Sequence, residues 1–507
     1  MSSARIRTTR ARLLAATALA ATSALILAGC TAGSAPNGTG TPDTSATVTV
    51  GLVLEPTDLD IRTTAGIALD QVLIDNVYQG LVGRTSTNKI VDVLAKSHTV
   101  SSDGLTYTFP LQTGVSFGDG KAMTPADVVW SLEQVKKTKT FVNSADLVKV
   151  KTISASGDTI TLKLSQPDSN LLWALSGRAG LVLEKAATND LKTTANGTGP
   201  YKLTTWKQGD SIALTRNGDY WGTKAKVAGV TFRYYTSPSA AINAVISGDV
   251  DVQTAVDATL KSQLTGVDGI SLKSGKTTDK YTLAFNNRNK PFTDIRVRQA
   301  IREAIDSKAL ITALGGSGVT QGGPIPALDP GYEDLASVDA YNPDNAKKLL
   351  KAAGAENLSL DLTYANFYPA AIGDVLTSDL KKVGITLNVK QTDFTTWINN
   401  VLVDHDYELS IVNHAESHDF GNWANPDYYF GYDNKKVQQL YSESLSATDE
   451  ATAADKLKQA AKIVANDAPA DWLYTATTLT AVHDGITGFP TSSTSARLDL
   501  ADLAKSE

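Results

Sequence analysis

The stretch that decides the fold is Asn196-Gly197-Thr198-Gly199-Pro200-Tyr201-Lys202-Leu203-Thr204-Thr205-Trp206-Lys207-Gln208-Gly209-Asp210-Ser211-Ile212-Ala213-Leu214-Thr215-Arg216-Asn217-Gly218-Asp219-Tyr220-Trp221-Gly222. It reads as a turn, a strand, a second turn and a second strand. Gly197 and Gly199 predict backbone angles closed to a side chain, and Pro200 fixes the exit. Tyr201, Leu203 and Trp206 are apolar points on the outgoing strand. After the Gly209-Asp210 turn, Ile212 and Leu214 alternate with polar neighbours, which predicts a hairpin with one buried face. Tyr220 and Trp221 close the segment, and on physics alone such an aromatic cluster belongs to a core.

Working outward, Phe232 to Tyr235 reads as a strand, Ser239 to Ser247 as a helix with Ala241, Ala244 and Val245 apolar, and Gly248 to Val252 as a turn and strand. That is a βαβ-like unit. Tyr281 to Asn287 is extended, and Asp294 caps a helix carrying Val297, Ala300, Ile301, Ala304 and Ile305. Gly315-Gly316-Ser317-Gly318 is too irregular for a phosphate-binding fingerprint and reads as a loop. Asn342-Pro343-Asp344 starts a helix that Gly354 stops; Leu358, Leu360 and Leu362 alternate as a strand. A helix through Val375, Leu376, Leu380 and Val383 follows, and then a strand with Ile385, Leu387 and Val389. Helix and strand alternating over short links predict a second α/β lobe. Two final helices precede Trp472-Leu473-Tyr474, read as the return to the first lobe. Upstream, Thr47 to Val53 alternates as a strand, Leu69, Val72, Leu73 and Val77 share a helical face, and Thr124-Pro125-Ala126-Asp127 carries a helix start: cap, proline in the first turn, carboxylate on free amides.

Gly-Thr-Gly-Pro-Tyr, a Trp, Gly-Asp and then Arg216-Asn217-x-x-Tyr220-Trp221-Gly222 resemble, in order, the signature of the extracytoplasmic solute-binding proteins of family 5, the peptide- and nickel-binding components of ABC importers. Ser102 to Phe109, Gly114-Val115-x-Phe117-x-Asp119-Gly120, Thr124 to Leu132 and Phe285 to Ala300 resemble the same family, and the resemblance spans nearly all of 47–490. It implies an α/β fold of two periplasmic-binding-protein-like lobes (type II) around a hinge, with an extra subdomain in the first. The expected partition is 47–80, 196–282 and 475–507 for lobe I, 81–195 for the extra subdomain and 283–474 for lobe II.

Of 507 residues, 42% are hydrophobic and 20% charged, with a net charge of −6. This describes a globular protein without the basic field of a nucleic-acid binder. Arg5, Arg7, Arg10 and Arg12 precede an apolar run from Leu13 to Ala28 that ends Leu27-Ala28-Gly29-Cys30, a signal peptide over 1–29 with a lipobox. Cys30 is the single cysteine and is expected to carry the lipid. Residues 30–46, rich in Ser, Thr, Gly and Pro, read as a flexible tether. Anchorage on the extracytoplasmic face of the cell membrane is expected, and the resemblance to family 5 implies a monomer working beside permease and ATPase subunits.

One window concentrates chemistry: His414-Ala415-Glu416-Ser417-His418-Asp419-Phe420-Gly421-Asn422-Trp423. It leaves the strand Tyr407 to Val412, and ligands in α/β folds bind where strands end. In the peptide binders of the family an acidic residue of this loop pairs with the ligand's α-amino group. Asp419 is the nearest match and Glu416 the second. Trp423 and His414 belong to the same window, and Tyr281, Asn286 and Asn366 are weaker ligand candidates. The competing reading makes Asp419 a turn cap and the histidines surface residues. His414, His418, Glu416 and Asp419 also offer metal-ligand atoms, without the spacing of a catalytic zinc motif; no metal and no cofactor is expected. Nucleophile elbow and P-loop are missing, so an enzyme is not expected. The expected cargo is an oligopeptide. A nickel chelate, another small solute, or, in a different class, an exported lipid-anchored hydrolase with paired carboxylates are the alternatives.

Overall fold

A computed structural model describes residues 42–492 and 497–506. The signal segment, Cys30 and the tether as far as residue 41 lie outside the described residues. The backbone of the fold is one mixed sheet. Its path strands, in chain order, are β1 (Thr47–Leu52), β2 (Tyr201–Lys207), β3 (Ser211–Arg216), β4 (Gly229–Tyr234), β5 (Val252–Gln253), β6 (Ile270–Phe285), β7 (Ser359–Ala365), β8 (Thr386–Thr392), β9 (Leu409–His414) and β10 (Ala470–His483). Side by side they run β8-β7-β9-β6-β10-β5-β1-β4-β3-β2. Within the first half, β1 is parallel to both β4 and β5, so the helix Pro238–Ser247 carries the chain over β1. Within the second half, β7 is parallel to both β8 and β9.

The two halves are joined by β6 and β10, which are long enough to belong to both. Ile270–Lys276 pairs with Thr477–His483, and Lys280–Ala284 pairs with Ala470–Thr475, with register shifts between Lys276 and Lys280 and between Tyr281 and Thr282. Such irregularities bend a ladder and increase its twist. Apolar cores follow this division: Val48, Val50, Phe232 and Leu500 pack with the first half, Leu283, Leu362, Tyr364 and Ile411 with the second. Trp472 packs beside Trp423 and Phe430, and Leu473 and Tyr474 join the core of the second half. The chain therefore regains the first half later than Trp472-Leu473-Tyr474 suggested, at Ala481 and Val482 against β5. The physical reason is length: β10 has 14 residues, and at about 3.3 Å each it crosses both cores.

Residues 81–182 contribute a further core, including Phe109, Phe117, Leu132 and Leu162, over a four-stranded sheet and the helix Pro125–Lys137. The helix starts as its sequence indicates. Thr124 donates its amide to the Asp127 carboxylate at 2.8 Å, and the other Asp127 oxygen accepts the Lys185 amide.

The signature stretch joins this region, through Gly118 N–H to Gly197 O at 2.8 Å, and the preceding Asn76-Val77 segment to the first half-sheet. Gly199 N–H donates to Val77 O, and Tyr201 N–H to Asn76 O, each at 2.9 Å; Asn217 Nδ2 donates to Gly199 O and Trp221 Nε1 to Thr198 O. Neither Gly197 nor Gly199 has a positive φ. What excludes a side chain is proximity: a Cβ on Gly197 would lie 2.0 Å from Val77 O, and one on Gly199 2.4 Å from Asn76 O. The two glycines serve a close backbone approach rather than an unusual backbone angle.

Candidate functional site

The parallel strands of the second half end at Ala365 (β7), Thr392 (β8) and His414 (β9), so their carboxyl ends share one edge beside the point where β6 changes register. At that edge lies Lys280, only 2% exposed. Its ammonium donates to Thr278 O at 3.1 Å and to Glu416 O at 2.9 Å, and it stands 3.3 Å from Asp419 Oδ2. Asp419, with 11% of its side chain exposed, is the half-buried partner of this lysine. Burial raises the Asp419 carboxyl to about 7 against the pull of Lys280, and raises Asp279, next to Lys280, to about 6. Glu416 keeps an exposed carboxylate. One oxygen each of Glu416 and Asp419 and a ring nitrogen of His414 lie within 4.8 Å of one another.

His414 is buried, stacks on Tyr429 and is within 3.1 Å of its hydroxyl through Nε2. Burial, and then the Lys280 charge, push this imidazole down to about 3, so it is neutral at ordinary pH. His418 also lies inside: it stacks on Trp173 at 3.9 Å, and the Arg84 guanidinium covers Trp173 at 3.8 Å. Asn88 Nδ2 donates to Ser417 Oγ at 3.2 Å and Ser169 N–H to Leu445 O at 2.9 Å. These contacts tie the 81–182 region to the second half. A cavity of about 580 Å³ lies between them, bounded by Trp173, Leu172, Asp329, His418 and Leu457 among others.

Three sequence candidates gather at the edge: Asp419, Glu416 and His414. Tyr281 joins them, stacked on Tyr474 at 4.5 Å and edge-on to Tyr368 at 5.7 Å. Asn366 is exposed at the end of β7, its amide donating to Thr392 O. Asn286 and Trp423 are removed from the candidates. Asn286 is buried and brackets the chain, donating from Nδ2 to His405 O and Tyr407 O at 3.0 Å; Trp423 is core, stacked on Phe430 at 4.2 Å. Asp419 opens a short 3-10 turn, Asp419–Trp423, with its carboxylate on Lys280, while His414 is buried and His418 half-buried against Trp173. Sequence reasoning passed over Lys280, Asp279, Tyr368 and Asn413. Tyr368 OH accepts the Asn413 amide at 3.0 Å, and Asn413 Oδ1 is buried without a partner. An aromatic pair immediately after a strand, Phe367-Tyr368, was the available signal.

The family model described as bacterial extracellular solute-binding proteins, family 5 Middle matches residues 89–437. The chain belongs to this family. As a family 5 protein it is the substrate-binding component of an ABC importer and acts with permease and ATPase subunits. It is 27% identical over 453 residues to the glutathione-binding protein GsiB of Pectobacterium atrosepticum, covering 84% of this chain and 88% of that one. Among solved structures, HbpA2 from Haemophilus parasuis superposes with a TM-score of 0.82 at 19% identity, covering 91% of this chain and all of the other. The oligopeptide-binding protein AppA of Bacillus subtilis, in complex with a nonapeptide, does so with a TM-score of 0.69 at 21% identity, covering 92% and 100%. The two-lobed α/β fold of this family is therefore the fold of this chain. Among the described residues no helix is long and apolar enough to cross a membrane.

Proposed function

We propose that this family 5 protein captures oligopeptides or similar solutes with a free amino group, and that the amine is received by the carboxylates at the edge of the second half-sheet. The observation that carries the reading is the acidic edge itself: one oxygen each of Glu416 and Asp419 lies within 4.8 Å of the other and of a His414 ring nitrogen. Lys280 pairs with the Asp419 carboxylate but meets Glu416 only through its backbone carbonyl, so among the described residues the exposed Glu416 carboxylate has no ion-pair partner and the edge keeps acidic capacity. An incoming ammonium between Glu416 and Asp419 makes charge-assisted hydrogen bonds worth on the order of 1.5 to 3 kcal/mol. Asn413 Oδ1 supplies a further acceptor for a cargo N–H. β6 and β10 act as the hinge, and contacts made by both lobes favour the closed form that a permease recognises. The division of the chain into lobe I, extra subdomain and lobe II at the boundaries given above belongs to this reading, as does anchoring through a lipid on Cys30 at the cell membrane.

Lys280 also weighs against the metal alternative. A divalent ion bound to His414, Glu416 and Asp419 would sit beside a fixed ammonium that already contacts Asp419. The test is calorimetry of the purified protein with trialanine and N-acetyl-trialanine. The proposal expects the free amine to bind and acetylation, or Glu416→Gln together with Asp419→Asn, to weaken it at least about tenfold. Equal binding of both peptides overturns it.

A further inference from the structure

From the acidic edge a line of aromatic rings leads outward. Tyr281 meets Tyr368 edge-on, Tyr368 touches Phe367 at 4.4 Å, and Phe367 meets Phe394 edge-on at 5.5 Å. Phe367 follows the last residue of β7, and Phe394 opens a short helix just beyond the last residue of β8. These strands are adjacent and parallel, with Ala365 opposite Thr392, so the two phenyl rings share the carboxyl edge that holds Glu416. The inner end is fixed: Tyr368 holds the Asn413 amide, and Phe394 stacks on the buried Trp397, whose Nε1 donates to Ser410 Oγ at 2.9 Å. The outer end is uncovered. Phe367 is 60% and Phe394 45% exposed, the two rings meeting each other edge-on.

A pair of rings held from below and left open above is a surface prepared for another apolar group, since covering a phenyl side chain takes apolar area out of water. Its position decides which group. Tyr368 OH accepts the Asn413 amide, and the next residue, His414, has Glu416 and Asp419 oxygens within 4.8 Å, so whatever lies on the rings has carboxylates at one end. Charge complementarity asks for a cation there.

We infer that Phe367 and Phe394 form an apolar specificity subsite, taking an aromatic or branched aliphatic side chain of a cargo whose ammonium sits at Glu416. The inference rests on the amine-capture reading above and narrows it: the preferred cargo carries a bulky apolar side chain near its amino terminus. A closing first lobe or a membrane partner covering the same rings would give no such preference among cargoes.

The experiment titrates Gly-Gly-Gly, Phe-Gly-Gly, Gly-Phe-Gly and Gly-Gly-Phe into the wild-type protein, into Phe367→Ala/Phe394→Ala and into Phe367→Leu/Phe394→Leu. At least one phenylalanine peptide is expected to bind about tenfold or more tighter than triglycine. The alanine pair should remove that advantage while leaving triglycine affinity within about twofold, and the leucine pair should restore part of it. If all four peptides bind alike, or the alanine pair keeps the preference, the amine site stands and the subsite is refuted. If none of the four binds, the amine-capture reading fails and the subsite fails with it.

Discussion

Replacing Lys280 by methionine isolates the charge at the heart of the site. Methionine keeps most of the buried volume and removes the ammonium that serves Thr278 O, Glu416 O and Asp419. Two charge-assisted bonds to carbonyls are lost, about 1.5 kcal/mol each after solvation is counted. Asp419 is then a buried carboxylate without its cation. In the wild type it titrates near 7, against 3.8 unfolded, so its unfavourable contribution to folding is absent below about 4 and fully present above 7. Without Lys280 the carboxyl stays protonated, and keeping it so at pH 8 costs the variant a further ~1.4 kcal/mol, one unit of pH beyond the wild-type value. The expected loss of stability is about 4 kcal/mol at pH 8 and about 3 kcal/mol at pH 5.5, where Asp419 is protonated in both proteins. Urea unfolding followed by tryptophan fluorescence at the two pH values measures it, and adding Asp419→Asn to the variant should erase the pH difference. A loss below about 1 kcal/mol, or one that grows as pH falls, would refute the reasoning.

Other outcomes follow from the same geometry. His414 is held near 3 against 6.5 when unfolded, so stability is lost as pH falls below 6.5; His414→Gln should reduce the loss between pH 6.5 and 5 by about 2 kcal/mol, read from the same unfolding curves. On the proposed reading the cargo amine is shared by Glu416 and an ionised Asp419, so peptide affinity should drop up to about thirtyfold from pH 8 to pH 5.5, and calorimetry on Asp419→Asn should show a flatter profile. Gly197→Ala drives a methyl group into Val77 O and should cost more than about 3 kcal/mol or abolish soluble expression, while Gly209→Ala, in an open turn, costs less. Trp173→Ala removes the ring between Arg84 and His418, about 1 to 2 kcal/mol of contact, and should enlarge the radius of gyration in small-angle scattering.

What the sequence disclosed and what it concealed divide along a physical line. Local codes were legible: the hairpin of β2 and β3, the Thr124/Asp127 capping box, and the alternation of β7 and β8 each depend on neighbours in sequence. The first half of β6 was not, because Ser271-Leu272-Lys273-Ser274-Gly275-Lys276 has too few apolar positions to show a period of two. Its pairing is imposed by β10. Lys280 was hidden for a related reason: a lysine in a polar run reads as solvated, and only the fold brings Glu416 and Asp419 to it. The acidic window itself was visible as a density of carboxylates and rings after a strand. Which of those side chains remain accessible depended on packing, which took Trp423 into the core and left Glu416 outside.

The central claim, capture of an amine-bearing peptide, is tested most directly by native mass spectrometry of the protein purified from peptide-rich medium. The account predicts bound masses that fragment as peptides with unblocked amino termini and a preference for bulky apolar residues near that end. These masses should disappear in the Glu416→Gln/Asp419→Asn variant. A sugar, a metal chelate or a peptide population indifferent to that double substitution would contradict it.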